Sequence, residues 1–322
     1  MPLVYQGADT QVVYFRPSGS YPTTSGAAVW VGLVQESSTD ENENREPIRY
    51  MVGPGTRNLD IFLDKNPEYT GTLKFLVQDG RFFTWAVGSV ANAAGSVHTI
   101  SETGGNIYWF DIQDTKSSAT ANRTIRRTFV GATIESFTVR GKEGDPIEAE
   151  AEWVAQSVTY ASGTGTSITS DNTTPYMWDD VSVQISGGGI DGDLLEVKEF
   201  EWSITNNFDN PYYLANTRFK GQSVPGNREY SISFTLNLTE VTGGQLYDQL
   251  YKGGSSFNGQ INLMRASGTD DLRIIFSGAK VTSFEQNTPA EGTVEATMEF
   301  IPQSCTIIIR DSGANATYPY VL

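Results

Sequence analysis

Apolar and acidic residues alternate without a break along residues 147–153, which read IEAEAEW. A period of two predicts a β-strand with one buried face, here formed by Ile147, Ala149, Ala151 and Trp153. The other face carries three carboxylates, Glu148, Glu150 and Glu152. Neighbouring carboxylates on one strand face lie about 7 Å apart and repel each other by roughly half a kcal/mol in water.

Similar patterns predict strands along the whole chain. In the first half these cover 29–34, 59–63, 72–77 and 107–112, followed by a hairpin of 129–140 with 147–156. In the second half they cover 181–185, 195–204, 230–238, 261–264 and 272–276, followed by a hairpin of 281–286 with 294–303. One short apolar stripe before a glycine predicts a helix in each half, at 82–87 and at 246–251.

The two predicted hairpins belong to an internal repeat. Residues 129–157 align without a gap on 276–304 at a constant offset of 147, with ten identical positions. Two earlier anchors occur in the same order in both halves, PGTR at 54–57 against PGNR at 225–228 and the helix signals. The Gly/Ser/Thr-rich segment 160–176 has linker composition. We therefore predict two homologous domains, residues 1–165 and 166–322.

Composition narrows the possible functions. The frequent glycine and the excess of β-branched and aromatic residues are typical of an all-β protein. A net charge of −16 argues against binding of nucleic acid through its phosphates and against docking on anionic lipid. One cysteine and one histidine exclude a disulfide framework and Cys/His zinc patterns. We expect no membrane span, because the sequence has no apolar run of 18 residues, and no ordinary secretory signal, because residues 1–15 lack a basic region followed by an apolar one.

Other chemical motifs are incomplete. The run DENEN at 40–44 begins like a calcium loop, but Arg45 occupies the glycine position and Met51 the bidentate glutamate position. GPGTRN lacks the third glycine of a dinucleotide fingerprint, and there is no GxSxG motif. His98 is expected in a loop. We therefore expect no catalytic residue, no cofactor and no metal.

The register of the hairpins decides what faces the carboxylates. If the apolar residues share one face, Glu148 lies opposite Thr138, Glu150 opposite Ser136 and Glu152 opposite Ile134. The second hairpin then has Glu295 opposite Glu285 and Glu299 opposite Val281. Both halves are thus expected to carry an acidic face that their own hairpins do not neutralise. Such a face suits any solvated sheet of an acidic protein, and around a ring it would form a negative channel.

The anchors together resemble the tail tube proteins, or major tail proteins, of long-tailed phages and archaeal viruses. The resemblance is carried by VWVGLVQESSTDENENREPIRYMVGPGTRNLDIFL at 29–63, by LVQDGRFFTWAVGS at 76–89 and by the hairpin that closes each half. It implies two tandem β-sandwich tail-tube domains, each flanked by a helix, whose inner sheets join around a pore. Two such domains per chain imply a trimeric ring with pseudo-sixfold symmetry.

The resemblance also implies roles for residues and partners. The closing hairpins would face the lumen, with Glu148, Glu150, Glu152, Glu295 and Glu299 on its wall. The long polar connections 36–55 and 205–226 would reach the adjacent ring through Asp40, Glu41, Glu43, Arg45, Asn207 and Asp209. The expected partners are other copies of the chain and the tape measure, tail terminator and baseplate or tip proteins. Viral DNA would pass without specific binding, no membrane would be involved, and the protein would assemble in the host cytoplasm into the virion tail.

Two other classes of function stay open from the residues alone. A two-module carbohydrate-binding or adhesin protein would have the same β-sandwich pattern, and it would remain monomeric and bind glycans. A β-rich hydrolase could use paired carboxylates such as Glu150 and Glu152, although regular spacing along one strand favours a repeated surface.

Overall fold

The computed structural model describes residues 10–15, 20–22, 28–30, 32–48, 61–91, 96–102, 108–117, 124–163, 165–166, 168, 173–187, 190–194, 196–214, 217–239, 244–265 and 271–310. Most of them lie in antiparallel strands. The helical segments among them are short: α1 at Phe83–Val87, a 3₁₀ turn at Trp178–Asp180 and a π-helix at Leu246–Lys252. The predicted all-β class, with one short helix in each half, is confirmed.

The strands are numbered in chain order. Those of the first half are β1 Thr10–Phe15, β2 Ala28–Val29, β3 Leu33–Asn42, β4 Arg45–Pro47, β5 Phe62–Asp64, β6 Glu68–Leu76, β7 Ser89–Ala91, β8 Val97–Ser101, β9 Phe110–Ser117, β10 Thr124–Lys142, β11 Glu148–Ala155 and β12 Ser157–Ala161. Those of the second half are β13 Val181–Gly187, β14 Ile190–Asp193, β15 Val197–Thr205, β16 Glu229–Asn237, β17 Phe257–Met264, β18 Asp271–Asn287, β19 Glu295–Ile301 and β20 Ser304–Arg310.

Three large sheets contain these strands, apart from a small β4–β5 hairpin. The central sheet runs through both halves in the order β3–β6–β11–β10–β15–β16–β19–β18. A second sheet has the order β12–β10–β9–β1–β2. The third has the order β14–β13–β17–β18–β20–β8–β7. The long strands β10 and β18 each cross from the central sheet into an outer sheet.

The inner face of the central sheet is packed against the two outer sheets. In the first half Phe129 of the second sheet packs on Trp153, with ring centres 4.9 Å apart. In the second half Phe257 and Phe276 of the third sheet both pack on Phe300 at 5.2 Å. The predicted inward residues of β11 and its entry, Ile147, Ala149, Ala151 and Trp153, are all buried. Each half is therefore a two-layer sandwich with one outward face on the central sheet.

The two halves share irregular details as well as strand order. A positive φ occurs at Gly131 (66°) and at its counterpart Gly278 (63°), where β10 and β18 leave the outer sheets. The β10–β11 register shifts between Ile134 and Ser136, and the β18–β19 register shifts 147 residues later, between Val281 and Ser283. The shift in β3 between Val34 and Glu36 corresponds to that in β15 between Val197 and Glu199. A β-bulge inserts one residue at a defined place, so shared bulges indicate equivalent strands.

Strand pairing also crosses the midpoint of the chain. β10 pairs with β15 in the central sheet, and β8 pairs with β20 in the third sheet. Helix α1 packs across the β10–β15 pair, with Phe83 at 5.0 Å from Phe137 and stacked on Trp202 at 6.0 Å. The division into domains 1–165 and 166–322 stays a prediction, because the sheets themselves do not separate there.

The predicted register of the closing hairpins is wrong by two residues. The structure pairs Glu148 with Arg140, Glu150 with Thr138 and Glu152 with Ser136, and it pairs Glu295 with Asn287 and Glu299 with Ser283. The turn of the first hairpin lies one residue further along the chain than predicted: Gly144 takes a φ of 90° there, and Pro146 has no N–H for the ladder. The backbone N–H of Ile147 donates instead to Tyr176 O at 2.9 Å.

The predicted linker 160–176 and the predicted position of His98 also need correction. β12 extends to Ala161, and Tyr176 is buried under the turn of the first hairpin. His98 is not a loop residue: it lies in β8, is fully buried and pairs with Ile309 of β20. A partner strand from the far end of the chain supplies this burial, which local sequence does not indicate.

Candidate lumen face and stacking loops

The five predicted lumen residues lie on one surface. Glu148, Glu150, Glu152, Glu295 and Glu299 all project from the outward face of the central sheet, opposite the buried apolar residues of the same strands. We call this outward surface the acidic face. The register places them in two groups on neighbouring parts of one continuous sheet, and not on two separate sheets.

The first group is partly neutralised, contrary to the expectation from the hairpin alone. Arg140 lies opposite Glu148 and contacts Glu150 at 3.4 Å and Glu201 of β15 at 2.7 Å. Lys74 of β6 lies 3.7 Å from Glu150. The hydrogen bond to Glu201, acting against burial, raises the pKa of Arg140 above its ordinary value. The hairpin prediction failed here because the two-residue error in register moved Arg140 out of the pairing.

The second group has fewer basic neighbours. Lys198 Nζ lies 2.8 Å from Glu295 Oε1, an exposed ion pair of small energetic value. Within the described part of the chain, Glu299 makes no ion pair, and its neighbours across the sheet are Ser233 and Ser283. Glu152 accepts a hydrogen bond from Ser136 Oγ at 2.7 Å, and none of the ion pairs between described residues includes it.

The acidic face keeps a surplus of negative charge over its whole width. The strand registers place twelve carboxylates on it: Glu36, Asp40, Glu68, Glu148, Glu150, Glu152, Glu199, Glu201, Glu229, Glu285, Glu295 and Glu299. The basic residues on it are Lys74, Arg140, Lys142, Lys198 and Lys280. The difference is seven negative charges per chain, so the face repels polyanions although single residues are paired.

The residues predicted in the stacking loops occupy one end of the central sheet, which we call the loop end. Asp40 and Glu41 are strand residues and not loop residues, because β3 continues to Asn42, and Arg45 begins β4. Residues 49–55 of the first connection lie outside the described residues. In the second connection, Asn207 and Asp209 follow β15, and Asp209 forms a bridge with Val224.

An asparagine turn starts both connections. Asn44 and Asn207 both have a φ of 46°, each two residues after its strand. Asparagine tolerates this left-handed conformation better than most residues. At the first turn, the backbone N–H of Asn44 donates to Asn42 Oδ1 at 2.9 Å. The equivalent asparagines show that the loops start in the same way in both halves.

Two of the predicted loop carboxylates hold the loops to the body of the protein. Glu43 accepts a hydrogen bond from Tyr69 Oη at 2.8 Å and pairs with Arg218, which belongs to the second connection. These contacts lower the pKa of Glu43, with the Tyr69 hydrogen bond as the main cause. Tyr212 Oη donates to Pro67 O at 2.8 Å. The two connections therefore form one joined structure at the loop end.

Glu41 ties the central sheet to the second sheet. It lies 2.7 Å from Arg127 Nη1, and Arg127 also pairs with the buried Asp114. Tyr160 donates its phenolic proton to Glu41, and this hydrogen bond is the main cause that raises the pKa of Tyr160 to about 12. Glu41 is thus an internal contact and is not free to reach a neighbouring molecule.

Exposed apolar residues at the loop end were missed by the sequence analysis. Phe62 in β5 is 61% exposed and Tyr213 in the second connection is 60% exposed, and each has an exposed leucine after it, Leu63 and Leu214. Large exposed apolar groups side by side mark interaction surfaces more often than isolated ones do.

The two edge strands of the central sheet, β3 and the last part of β18, are open on their outer sides among the described residues. Among the described residues, no strand pairs with the outer side of β3 or with the outer side of the last part of β18, Lys280–Asn287. An open edge presents unpaired backbone N–H and C=O groups and invites pairing with another chain.

The described residues contain no cluster of His, Cys, Asp and Glu suited to a metal ion, and no helix long and apolar enough to cross a membrane.

The fold and this surface define a structural β-protein with a charged sheet face and two open strand edges. Residues 10–301 match the family model of the phage tail tube proteins. The chain therefore belongs to the phage tail tube protein family and is a structural component of the virion tail.

Solved structures add two similar chains. The chain is 15% identical to the tail tube protein in the hybrid solid-state NMR and cryo-EM structure of the SPP1 tail tube, with a TM-score of 0.33, covering 46% of this chain and 86% of that one. It is 11% identical to a chain of the cryo-EM structure of the anti-feeding prophage baseplate, 6-fold symmetrised, with a TM-score of 0.32, covering 45% of this chain and 97% of that one. No curated protein matches the chain.

Proposed function

We propose that three copies of this chain close into a ring with pseudo-sixfold symmetry, that such rings stack into the tail tube, and that the acidic face lines a lumen through which viral DNA passes. The observation that carries this proposal is the pairing of β10 with β15 inside the chain. That pair joins the two repeats edge to edge and leaves the equivalent edges, β18 and β3, open.

The shared bulges show which strand of one half corresponds to which strand of the other half. β18 corresponds to β10 at an offset of 147, and β3 corresponds to β15 at an offset of 163. A copy of β3 could therefore pair with β18 as β15 pairs with β10. Such a contact joins two different surfaces, so it repeats around a ring until the rotation closes.

The packing next to the open edge of β18 supports the binding of another copy of the chain there. In the first half, α1 is buried beneath the β10–β15 pair, and Asn206 and Arg228 of the second half donate to its carbonyls at Ala86 and Val87. In the second half, the π-helix leaves Tyr251 40% exposed beside a half-buried Phe284. A third repeat unit placed against β18 would cover these rings as the second half covers α1.

Barrel geometry favours three chains. Each chain supplies eight strands to the central sheet, so three chains supply twenty-four. With strands about 4.8 Å apart and tilted by roughly 40°, such a barrel is about 50 Å across at the backbone. A barrel of two chains would be roughly 30 Å across at the backbone, and the side chains on its inner wall would narrow the pore further. The larger pore admits a DNA duplex with a layer of water.

The charge on the wall suits passage rather than binding. Affinity of proteins for DNA comes largely from Lys and Arg contacts to phosphates. With a surplus of carboxylates on its wall, the lumen would offer DNA few such contacts and no lasting binding site. The predicted lumen residues Glu148, Glu150, Glu152, Glu295 and Glu299 would belong to this wall, and the protein would act without catalysis or cofactor.

The loop end would contact the next ring. Asp40, Glu41, Glu43, Arg45, Asn207 and Asp209 lie at or beside this end, but the apolar pairs Phe62–Leu63 and Tyr213–Leu214 are its most exposed features. Glu41 and Glu43 would hold the loops in shape while these apolar residues make the contact. Tape measure, terminator and baseplate or tip proteins are the expected further partners, and assembly would take place in the host cytoplasm.

Imaging of the purified protein tests the assembly. Negative-stain electron microscopy is expected to show rings or tubes, and native mass spectrometry is expected to show three chains per ring. A protein that stays monomeric and binds a glycan array would contradict the proposal in favour of an adhesin.

A charge reversal tests the lumen. Changing Glu148, Glu150 and Glu152 together to Lys is expected to leave tubes intact while impairing DNA passage, because the new cations bind phosphate. The same three residues changed together to Gln, which removes the negative charges without adding cations, are the matched control. Unchanged infectivity of the triple variant would contradict a lumen role.

A further inference from the structure

A buried lysine lies where the second connection meets the bulge of β10. Lys220 is 2% exposed, and it forms no ion pair among the described residues, although the charge of Glu135 acts on it. Its Nζ lies 3.0 Å from Asn210 Oδ1 and 3.0 Å from Ser223 Oγ. An amine within hydrogen-bond distance of an amide oxygen is also close to the carbon that bears this oxygen.

The Asn210 amide is held at both of its ends. Its Nδ2 donates to Glu135 Oε1 at 3.0 Å, and Ser223 Oγ donates to its Oδ1 at 2.6 Å. Ser223 is buried and also lies 3.2 Å from Thr133 Oγ1. Glu135 is the residue inserted at the bulge between Ile134 and Ser136, so its side chain does not follow the strand alternation.

We propose that Lys220 and Asn210 form an intramolecular isopeptide bond, with Glu135 transferring the protons and Ser223 stabilising the intermediate. The four side chains supply each part that the reaction requires: an amine, a carboxamide, a carboxyl group at the leaving nitrogen and a hydroxyl donor at the oxygen. None of them belongs to the acidic face or to an open strand edge, so the reaction is separate from tube assembly.

The lysine is suited to act as the nucleophile. Burial lowers the pKa of Lys220 to about 8, because the charged ammonium loses its hydration. An appreciable fraction of the amine is therefore neutral near physiological pH, and a desolvated neutral amine is a competent nucleophile. Because Nζ already lies 3.0 Å from the oxygen of the amide that it would attack, little further ordering is needed.

The steps balance without any further reagent. The neutral Nζ forms a bond to Asn210 Cγ, and the π electrons of the carbonyl move to Oδ1, where the Ser223 hydroxyl stabilises the negative charge. Glu135 takes the proton from the attacking nitrogen and delivers it to Nδ2. The carbonyl re-forms, the Cγ–Nδ2 bond breaks, and ammonia leaves. An amine and a carboxamide thus become a secondary amide and ammonia, with no change of oxidation state.

The isopeptide bond would link two parts of the second connection where this connection packs on β10. Gln156 Nε2 already donates to Lys220 O at 2.8 Å, and the N–H of Asn206 donates to Glu135 O at 2.8 Å. A covalent link between residues 210 and 220 would keep this connection closed under load, next to the exposed Tyr213 and Leu214.

Mass spectrometry of the denatured full-length chain tests the proposal. The wild type is expected to weigh less than its sequence by one ammonia, and a tryptic digest is expected to contain one branched fragment that joins Asn210 to Lys220. A succinimide at another asparagine also loses ammonia, and its unbranched digest would count against the proposal. A wild-type chain of full mass, both free and from assembled tubes, would overturn it.

Matched variants assign the roles. Lys220→Arg and Glu135→Gln are expected to keep the full mass, since the first lacks a transferable amine and the second lacks the proton carrier. Glu201→Gln, whose carboxylate pairs with Arg140 instead, is expected to lose ammonia as the wild type does. A branched fragment in the Glu135→Gln chain at the wild-type yield would remove Glu135 from the reaction, and the wild-type mass decides the proposal even where a variant fails to fold.

Discussion

Strand β10 of the first half has a neighbour on each side in the central sheet, whereas its counterpart β18 in the second half has a neighbour on one side only among the described strands. The sequence repeat and the shared bulges make these two strands equivalent. Their difference therefore comes from position in the chain: the second repeat follows β10 and pairs with it, whereas no described strand pairs with this side of β18. In the proposed ring, the contact inside the chain would be the template for the contact between chains.

The template also predicts the register between chains. Inside the chain, Arg140 pairs with Glu201 and Thr138 lies opposite Ser203. The equivalent positions put Asn287 opposite Ser38 and Glu285 opposite Asp40 of the neighbouring copy. The inner contact thus has an ion pair, whereas the contact between chains would place two carboxylates side by side. We expect folding of the chain to be favoured over closure of the ring.

The largest expected effect is loss of the ring on blocking the open edge. Thr282 is the inserted residue at the β18 bulge and has no ladder partner on β19. Proline is tolerated at bulges, but it lacks the N–H for a new strand partner. We expect Thr282→Pro to fold yet remain monomeric in size-exclusion chromatography. Thr282→Ala, which keeps its N–H, should assemble normally. Rings of the proline variant would show that this edge is not the contact.

A glycine substitution compares the equivalent bends of the two halves. Alanine at a positive φ costs about 1–2 kcal/mol of folding free energy. At Gly131 a Cβ would also meet Pro22 Cβ at 3.0 Å and the Tyr21 ring at 3.1 Å, whereas at Gly278 it would meet the flexible end of Gln303. We expect Gly131→Ala to lower the free energy of unfolding in urea more than Gly278→Ala does.

Gly144 provides the control for that comparison. It has a φ of 90° and no atom within 4 Å of an added Cβ, so Gly144→Ala measures backbone strain alone. Equal losses at all three glycines would mean that the packing around Gly131 contributes nothing.

The sequence missed β1, β8 and β20, and it assigned the second part of β3 to a polar connection. It correctly predicted the strands of the closing hairpins, the two short helices and the alternation of β11. It did so because alternation and turn residues act over a few neighbouring positions. It missed the register, since that depends on Pro146, Gly144 and the contact of Ile147 with Tyr176, 29 residues further along the chain. It missed the burial of His98 for the same reason, because the covering strand β20 is distant in the chain.

The candidate site divides in the same way. That five glutamates share one surface followed from alternation within two strands. The sequence did not predict the basic residues among these glutamates, Arg140, Lys74 and Lys198. Each of them forms an ion pair with a glutamate on a different strand of the sheet. The exposed apolar residues of the loops were missed, since an exposed Phe62 and a buried phenylalanine have the same local sequence signal.

A charge change tests the predicted register between chains. Asp40→Lys would place a cation opposite Glu285 of the neighbouring copy, and charge pairs directly across strands are worth about 0.2–1 kcal/mol each. We expect assembly to begin at a several-fold lower protein concentration, with added salt now weakening it. Ser203→Lys adds the same charge at the equivalent position inside the chain. If both variants shift assembly equally, total charge and not register is responsible.

The smallest expected effect concerns acid stability of the loop end. Glu43 in the first half and Asn206 in the second follow their strands at equivalent positions, but only Glu43 is charged and paired with Arg218. Its pKa is lowered in the folded protein, with the Tyr69 hydrogen bond as the main cause. It therefore stabilises the fold above the ordinary carboxyl pKa of about 4.3, and this stabilisation disappears as the pH falls through the lower folded value. Compared with Glu43→Gln, which keeps an acceptor for Tyr69, the wild type should be more stable at pH 7.

The urea midpoints of the wild type and of Glu43→Gln should converge below about pH 4. A difference between the two midpoints that does not change with pH would mean that the charge of Glu43 contributes nothing.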